Sequence, residues 1–360
     1  MNRKIQFIIA IFMVLPMLSM ANPIKKKWDH EKTKTIKKEF DVNADALLTI
    51  KNKYGNVDVI SWDQNRVEIE VTITVSGNNE SKVIERLSKI DIKFENSRSA
   101  VSARTSIENN SKSWYSSNNK MNYEINYKVK VPVGNSVDLN NDYGTISLNE
   151  IKGRAEINCD YGKILIGNLY HENNSINIDY TSDSEIELMN GGSINADYSK
   201  FTIVKAKKIE LNADYTDSVF ENIEELNFAC DYGKIEVGSV NVVDGHGDYL
   251  TMRFGNIYKR LNIRADYGGI KVDKLMKGFQ SVDIHTDYAG IKIGLEDDIS
   301  FNFTANLSYA GFDYEGENIT YLKKVVKSSS KYYEGFVNKE NSGSVIEISS
   351  EYGGVKLYKN

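Results

Sequence analysis

Apolar positions along this chain recur around an Asp-Tyr pair. The stretches "INCDYGKILIG" (157–167), "INADYSKFTIV" (194–204) and "IRADYGGIKVD" (263–273) are near copies of one another. The motif tyrosines are Tyr143, Tyr161, Tyr180, Tyr198, Tyr215, Tyr232, Tyr249, Tyr267, Tyr288 and Tyr309, and Tyr54 and Tyr352 carry the same motif at the two ends. Steps of 17 to 21 residues separate the ten. Such a period is too short for helical repeats or propeller blades, and fits a coil of two or three short strands.

Side chains alternate across a strand, so each column of the repeat has a face. Three residues before the Asp the column is apolar in all but one copy: Leu139, Ile157, Ile176, Ile194, Leu211, Phe228, Gly245, Ile263, Ile284. The residue just before the Asp is mostly small or apolar, as in Cys159, Ala196, Ala213, Cys230 and Ala265. Both columns should face a core, with the Asp that follows them facing out. Unbroken alternation then turns the Tyr inward, where each ring should stack on that of the next coil. The rival reading, a row of surface tyrosines forming a ligand ladder, runs against this parity. After the Tyr comes Gly, Ser, Thr or Ala in most copies, and the phase slips. Apolar residues now fall three and five places on, as in Ile146/Leu148, Ile164/Ile166 and Ile291/Ile293. A strand, a corner at the small residue and a second strand account for the slip. The second-strand pattern fails after Tyr180, at Asp183 and Glu185, and partly after Tyr215, at Ser218.

The pattern predicts an all-β fold, a single-stranded β-helix (β-solenoid) with about 17–21 residues per coil and one short helix near residues 79–90. Val83, Ile84, Leu87 and Ile90 supply the helical spacing, with an Asn or Ser as cap. Coils rising about 4.8 Å each would carry the ten tyrosines over roughly 43 Å. Stacked coils bury what a single coil cannot, and need covered ends. Insertions near 78–122 and 315–343 are expected to be those covers. Residues 22–46 form a basic, loose lead-in, and residues 47–360 one domain.

Composition adds compartment more than chemistry. Twenty-two tyrosines and three prolines favour strands. A net charge of −5 gives no field suited to nucleic acid. Residues 1–21, "MNRKIQFIIAIFMVLPMLSMA", have a basic start, a short apolar run and small residues before a cleavage point, the pattern of a signal peptide. Once it is removed, no run is long and apolar enough to span a bilayer. A periplasmic, secreted or cell-surface location follows. Cys159 and Cys230 fall in the same inward column four coils apart, which predicts two buried free thiols rather than a disulfide.

Candidate chemistry is sparse. The Asp column could hold a hard cation, but the simpler reading has each Asp bracing its corner through backbone N–H groups; no metal site is assigned. Two residues before the Asp, an Asn column (Asn140, Asn158, Asn177, Asn195, Asn212) gives way to His246, Arg264 and His285. These lie beside Asp248, Asp266 and Asp287 and form the one clustered departure from the repeat. His beside carboxylate can transfer protons, though charge pairing between neighbouring strands is the plainer reading. The face around them is expected to be open and flat. No nucleophile motif, phosphate loop or zinc spacing occurs, and no cofactor is expected.

"IKNKYGNVDVISWDQNRVEIEV" near the start, "YKVKVPVG" in mid-chain and the repeated I-x-A-D-Y-G-x-I-x-V together resemble the putative-adhesin family of exported bacterial proteins, related to the auto-transporter adhesin head GIN domain. The resemblance covers roughly residues 40–357. It implies a β-helix in the cell envelope of Gram-negative bacteria, and it brings no catalytic residues. The chain departs from the family in its very regular Asp-Tyr and in its two insertions. The expectation is an exported non-enzymatic protein, adhesin-like or an envelope scaffold, with a glycan or an envelope protein as partner. The alternative is a lyase-like polysaccharide enzyme using the His/Arg/Asp patch.

Overall fold

A computed structural model describes residues 28–108 and 121–359. The expected signal peptide, the start of the lead-in and most of the polar loop at 109–122 lie outside these residues. The described chain is nearly all β, with a large mixed sheet that does not close on itself.

Through the middle of the chain each strand pairs in parallel with its counterpart one repeat away. Ile157 is flanked by Leu139 on one side and Ile176 on the other. After the corner, Ile166 lies between Leu148 and Ile186. The strand before each Tyr and the strand after it thus build two parallel ladders. Their inward columns meet in one continuous core, where Leu139, Ile157, Ile176, Ile146 and Ile164 are at most 1% exposed. The single break in the apolar column, Gly245, is a packing choice: a Cβ there would lie 2.1 Å from the Phe228 ring. Asn141, also inward, is satisfied by accepting from Asn52 at 3.1 Å and donating to the Gly55 carbonyl at 2.8 Å.

The two irregular copies resolve simply. After Tyr180 an extra residue, Asp183, takes a left-handed φ of 53°. Ser184 and Ile186 then face inward in place of Asp183 and Glu185. After Tyr215 the register holds and Ser218 is buried, its hydroxyl without a hydrogen-bond partner among the described residues.

Added strands, some parallel and some antiparallel, cover both ends. At the N-terminal end Ala100–Ile107 adds to Leu47–Lys53, and Met121–Pro132 adds to Val57–Trp62. The predicted helix forms at Glu80–Ser88, with the Asn79 side chain accepting from Lys82 N–H at 3.1 Å. The lead-in is not loose where it is described. His30–Asp41 is a strand paired antiparallel with Arg66–Gly77, and its Lys and Glu residues keep an outer edge charged. At the C-terminal end Ile319–Val326 and Ser330–Val337 form a hairpin against Phe301–Ser308. Val345–Glu351 does not extend the row beyond Phe301–Ser308. It inserts between that strand and residues 281–287.

Candidate functional site

The motif tyrosines point outward, against the expectation of a buried stack. All twelve have positive φ, from 50° to 67°. Alternation holds only while every residue is extended, and one left-handed residue rotates the chain out of phase. The Tyr therefore follows the outward Asp onto the surface, and the next residue turns in. Backbone pairing survives the corner: Tyr161 N–H donates to the Asp179 carbonyl and Tyr198 N–H to that of Asp214, both at 3.0 Å. The small residue after the Tyr is required by a close approach, since a Cβ on Gly162 would lie 1.9 Å from the Gly144 carbonyl oxygen. Where Ser199 or Thr216 stands instead, its hydroxyl donates to a carbonyl of a neighbouring repeat, Ile178 or Ala196.

The rings form one uninterrupted ladder. From Tyr54 through Tyr143, Tyr161, Tyr180 and Tyr198 to Tyr288, Tyr352 and Tyr309, neighbouring centroids are 4.7 to 5.3 Å apart and the planes within 10° of parallel. At the first rung Tyr123 closes the end edge-on at 5.0 Å. At the last, Tyr309 has a neighbour on one face only and is the most exposed, at 65%.

A row of carboxylates runs beside the rings. The side chains of Asp197, Asp214, Asp231 and Asp248 each accept from the backbone N–H of the next Asp in the row, at 2.9 to 3.3 Å. The Asp column thus braces the corner through the backbone. Burial, then the neighbouring Asp248 and Asp287, push the Asp266 carboxyl above its ordinary range. Burial followed by Asp179 and Asp142 does the same to Asp160. Next to this row Asn177 donates to Asn158, and Asn195 to Asn177, at 2.7 Å, an amide ladder.

Where the Asn ladder ends, His246, Arg264 and His285 continue the row in direct register. Asp266 and Asp287 are paired in the same way two residues along, and Asp248 is tied to Asp266 by accepting from its backbone N–H. The six side chains lie in two parallel outward rows and do not converge on a point. His285 Nε2 lies 3.0 Å from Asp283 Oδ1, and Asp283 had not been singled out in the sequence. No cluster of His, Cys, Asp or Glu suited to a metal occurs among the described residues.

The expectation of a flat face fails at the His285 end. A groove of about 550 Å³ lies there, lined by His285, Asp287, Asn306, Ser349 and Glu351 on the sheet side and walled by Lys323, Val325 and Lys327 of the C-terminal hairpin. Neither His246 nor Arg264 lines it. Periodicity could not reveal this groove, because its wall comes from the insertion near 315–343, which interrupts the period.

No protein-family profile and no curated protein matches the chain. The solved structures that match over most of their length include three described as adhesion proteins. A "putative cell adhesion protein" from Clostridium sporogenes is 12% identical, with a TM-score of 0.18 over 91% of this chain and 100% of the other. A "putative adhesin" from Parabacteroides distasonis is 8% identical, with a TM-score of 0.37 over 90% and 97%. Another from Bacteroides fragilis is 12% identical, with a TM-score of 0.24 over the same shares. Scores this low do not establish a common fold. No helix among the described residues is long and apolar enough to cross a membrane.

Proposed function

We propose that this chain is an exported, non-enzymatic β-solenoid of the bacterial cell envelope whose tyrosine face binds an extended, hydroxyl-rich ligand such as a glycan, in the manner of an adhesin. The observation that carries this reading is the ladder of bulky aromatic residues on left-handed backbone. Holding a side chain other than Gly there costs about 1–2 kcal/mol per residue. Each ring pair returns about 0.5–1.5 kcal/mol. The two nearly cancel, so stability alone gives little reason to prefer Tyr over Gly at these corners. What the Tyr adds is surface: a line of ring edges and phenol groups beside a line of carboxylates. Neighbouring rings occupy one another's faces, so a ligand along the ladder meets hydroxyls and carboxylates, which pair with sugar hydroxyls.

The lyase-like alternative is less well supported. A general acid–base site needs its groups within hydrogen-bond reach of one reacting atom. His246, Arg264 and His285 stand side by side along a row instead. A glycan array probed with the secreted protein, together with an assay for unsaturated sugar products, separates the two. Binding without product, abolished when Tyr180, Tyr198 and Tyr215 are all replaced by Gly, supports the ladder reading. Turnover of any bound glycan, or binding indifferent to the three replacements, overturns it.

A further inference from the structure

The groove at the C-terminal end lies apart from the middle of the ladder. Its floor continues the outward rows of the sheet. His285 is in register with Ser349, Ser349 with Asn306, and Asn306 with Tyr332. Beside it runs the row Asp287, Glu351, Ser308, Ser330. The wall comes from the Ile319–Val326 strand, which carries Lys323 and Val325. The volume lies in the range of sites for small ligands, about 300–1,000 Å³.

The lining is chemically divided. Lys323 and Lys327, on the outward face of the hairpin, line one side. The Lys323 ammonium sits 5.0 Å from the Tyr332 ring centre, while Lys331, in register with the inward Leu307, is held away by donating to the Ala310 carbonyl at 2.7 Å. Asp287 and Glu351 line the other side, with the Asn306 amide and several hydroxyls between. Apolar contributions are few, chiefly Val325 and the buried Leu307. A purely anionic peptide would be drawn to the lysines and repelled by the two carboxylates, and would find no apolar pockets for its side chains. A neutral sugar would leave the lysines unused. A sugar with one acidic group and several hydroxyls matches both halves, because ammonium groups bind the acid and carboxylates accept from hydroxyls.

We propose that the groove between the 319–337 hairpin and the sheet face binds an acidic sugar residue, with Lys323 and Lys327 holding its carboxylate or sulfate and Asp287, Glu351 and Asn306 its hydroxyls. The site takes a single residue or chain end. It does not depend on the ladder, so either site can fail without the other.

The test is calorimetric titration of the full secreted chain with trigalacturonic acid, with a sulfated galactose trisaccharide and with the uncharged galactose trisaccharide. At least one acidic trisaccharide should bind ten-fold or more tightly than the neutral one, with affinity falling as salt is raised. The preferred acidic sugar tells carboxylate from sulfate recognition. Lys323→Ala combined with Lys327→Ala should weaken that binding ten-fold or more. Both side chains are exposed, so unchanged melting is expected and serves as the folding control. Lys207→Ala, an exposed position several repeats from the groove, should leave it unaltered. Three outcomes overturn the proposal: no acidic sugar preference, binding indifferent to the lysine replacements, or tighter binding of a poly-glutamate peptide than of either acidic sugar.

Discussion

Tyr288 stacks on Tyr352, at 4.7 Å and 4°, and not on Tyr309, the next motif tyrosine in the chain. Tyr309 lies one place further out, stacked on the other face of Tyr352 at 5.0 Å. The last repeat to be synthesised is therefore not the last in space. Its strands slot between Ser281–Leu295 and the two strands Phe301–Ser308 and Phe312–Glu315. Residues 301–337 have no direct sheet partner in the preceding repeat until that insertion is made.

A chain ending at residue 337 should lose order in its final segment while keeping the rest. Hydrogen exchange across residues 301–337 should become fast, and protection across residues 136–275 should stay near that of the full chain. Protection of 301–337 equal to that in the full chain would show that the strand closes onto residues 281–287 directly.

Tyr198 offers a test of the strained ladder by the sign of a comparison. In an ordinary strand Gly is less stable than Ala by roughly 0.5–1 kcal/mol. At Tyr198, with φ 50° and a ring 52% exposed, the order should invert. Tyr198→Ala loses two stacking contacts and keeps the strain, costing about 1–3 kcal/mol. Tyr198→Gly loses the same contacts but relieves about 1–2 kcal/mol of strain, and should melt near the wild type. Urea midpoints of the two variants read this directly. An Ala variant more stable than the Gly variant would place this corner in extended backbone.

The sequence-to-structure comparison divides at that same residue. The period, the inward columns at Ile157 and Ile166, the Asn79 cap and the cysteine register were all legible, because each rests on local alternation. The facing of the tyrosines was not, because alternation assumes extended backbone and nothing in "CDYGK" shows that the Tyr itself, rather than the Gly, takes the left-handed turn. The rows His246–Arg264–His285 and Asp248–Asp266–Asp287 followed from the same register. The groove beside His285 did not, since its wall comes from non-periodic chain and its floor from a strand inserted out of order.

Cys159 and Cys230 should be inert thiols. Both are buried, and burial pushes each thiol up to about 12. Four ring spacings near 4.9 Å separate their repeats, far beyond disulfide reach. The folded protein should show no reaction with a thiol reagent at pH 8, and two equivalents should react after unfolding. An intramolecular bond between them in non-reducing mass spectrometry would refute the register.

The carboxylate row gives a pH dependence whose sign opposes the usual acid denaturation. Asp266 lies in line with Asp248 and Asp287, and its carboxyl is raised, first by burial and then by those two charges. A raised carboxyl binds its proton more tightly folded than unfolded. Its contribution to stability therefore falls as pH rises from the ordinary Asp value through the raised one, and stays unfavourable above. Asp266→Asn removes the charge while keeping an oxygen that can accept a backbone N–H. It should raise the melting temperature at pH 7, and the gain should shrink as pH is lowered toward 4. Added salt should also reduce the gain, because screening weakens repulsion between exposed charges. Paired melting curves of wild type and variant at pH 4 and pH 7, each at low and high salt, measure all three. A variant less stable than wild type at pH 7 would mean that the Asp266 charge is held by an attraction stronger than the row's repulsion, with Arg264 two residues away as the first place to look.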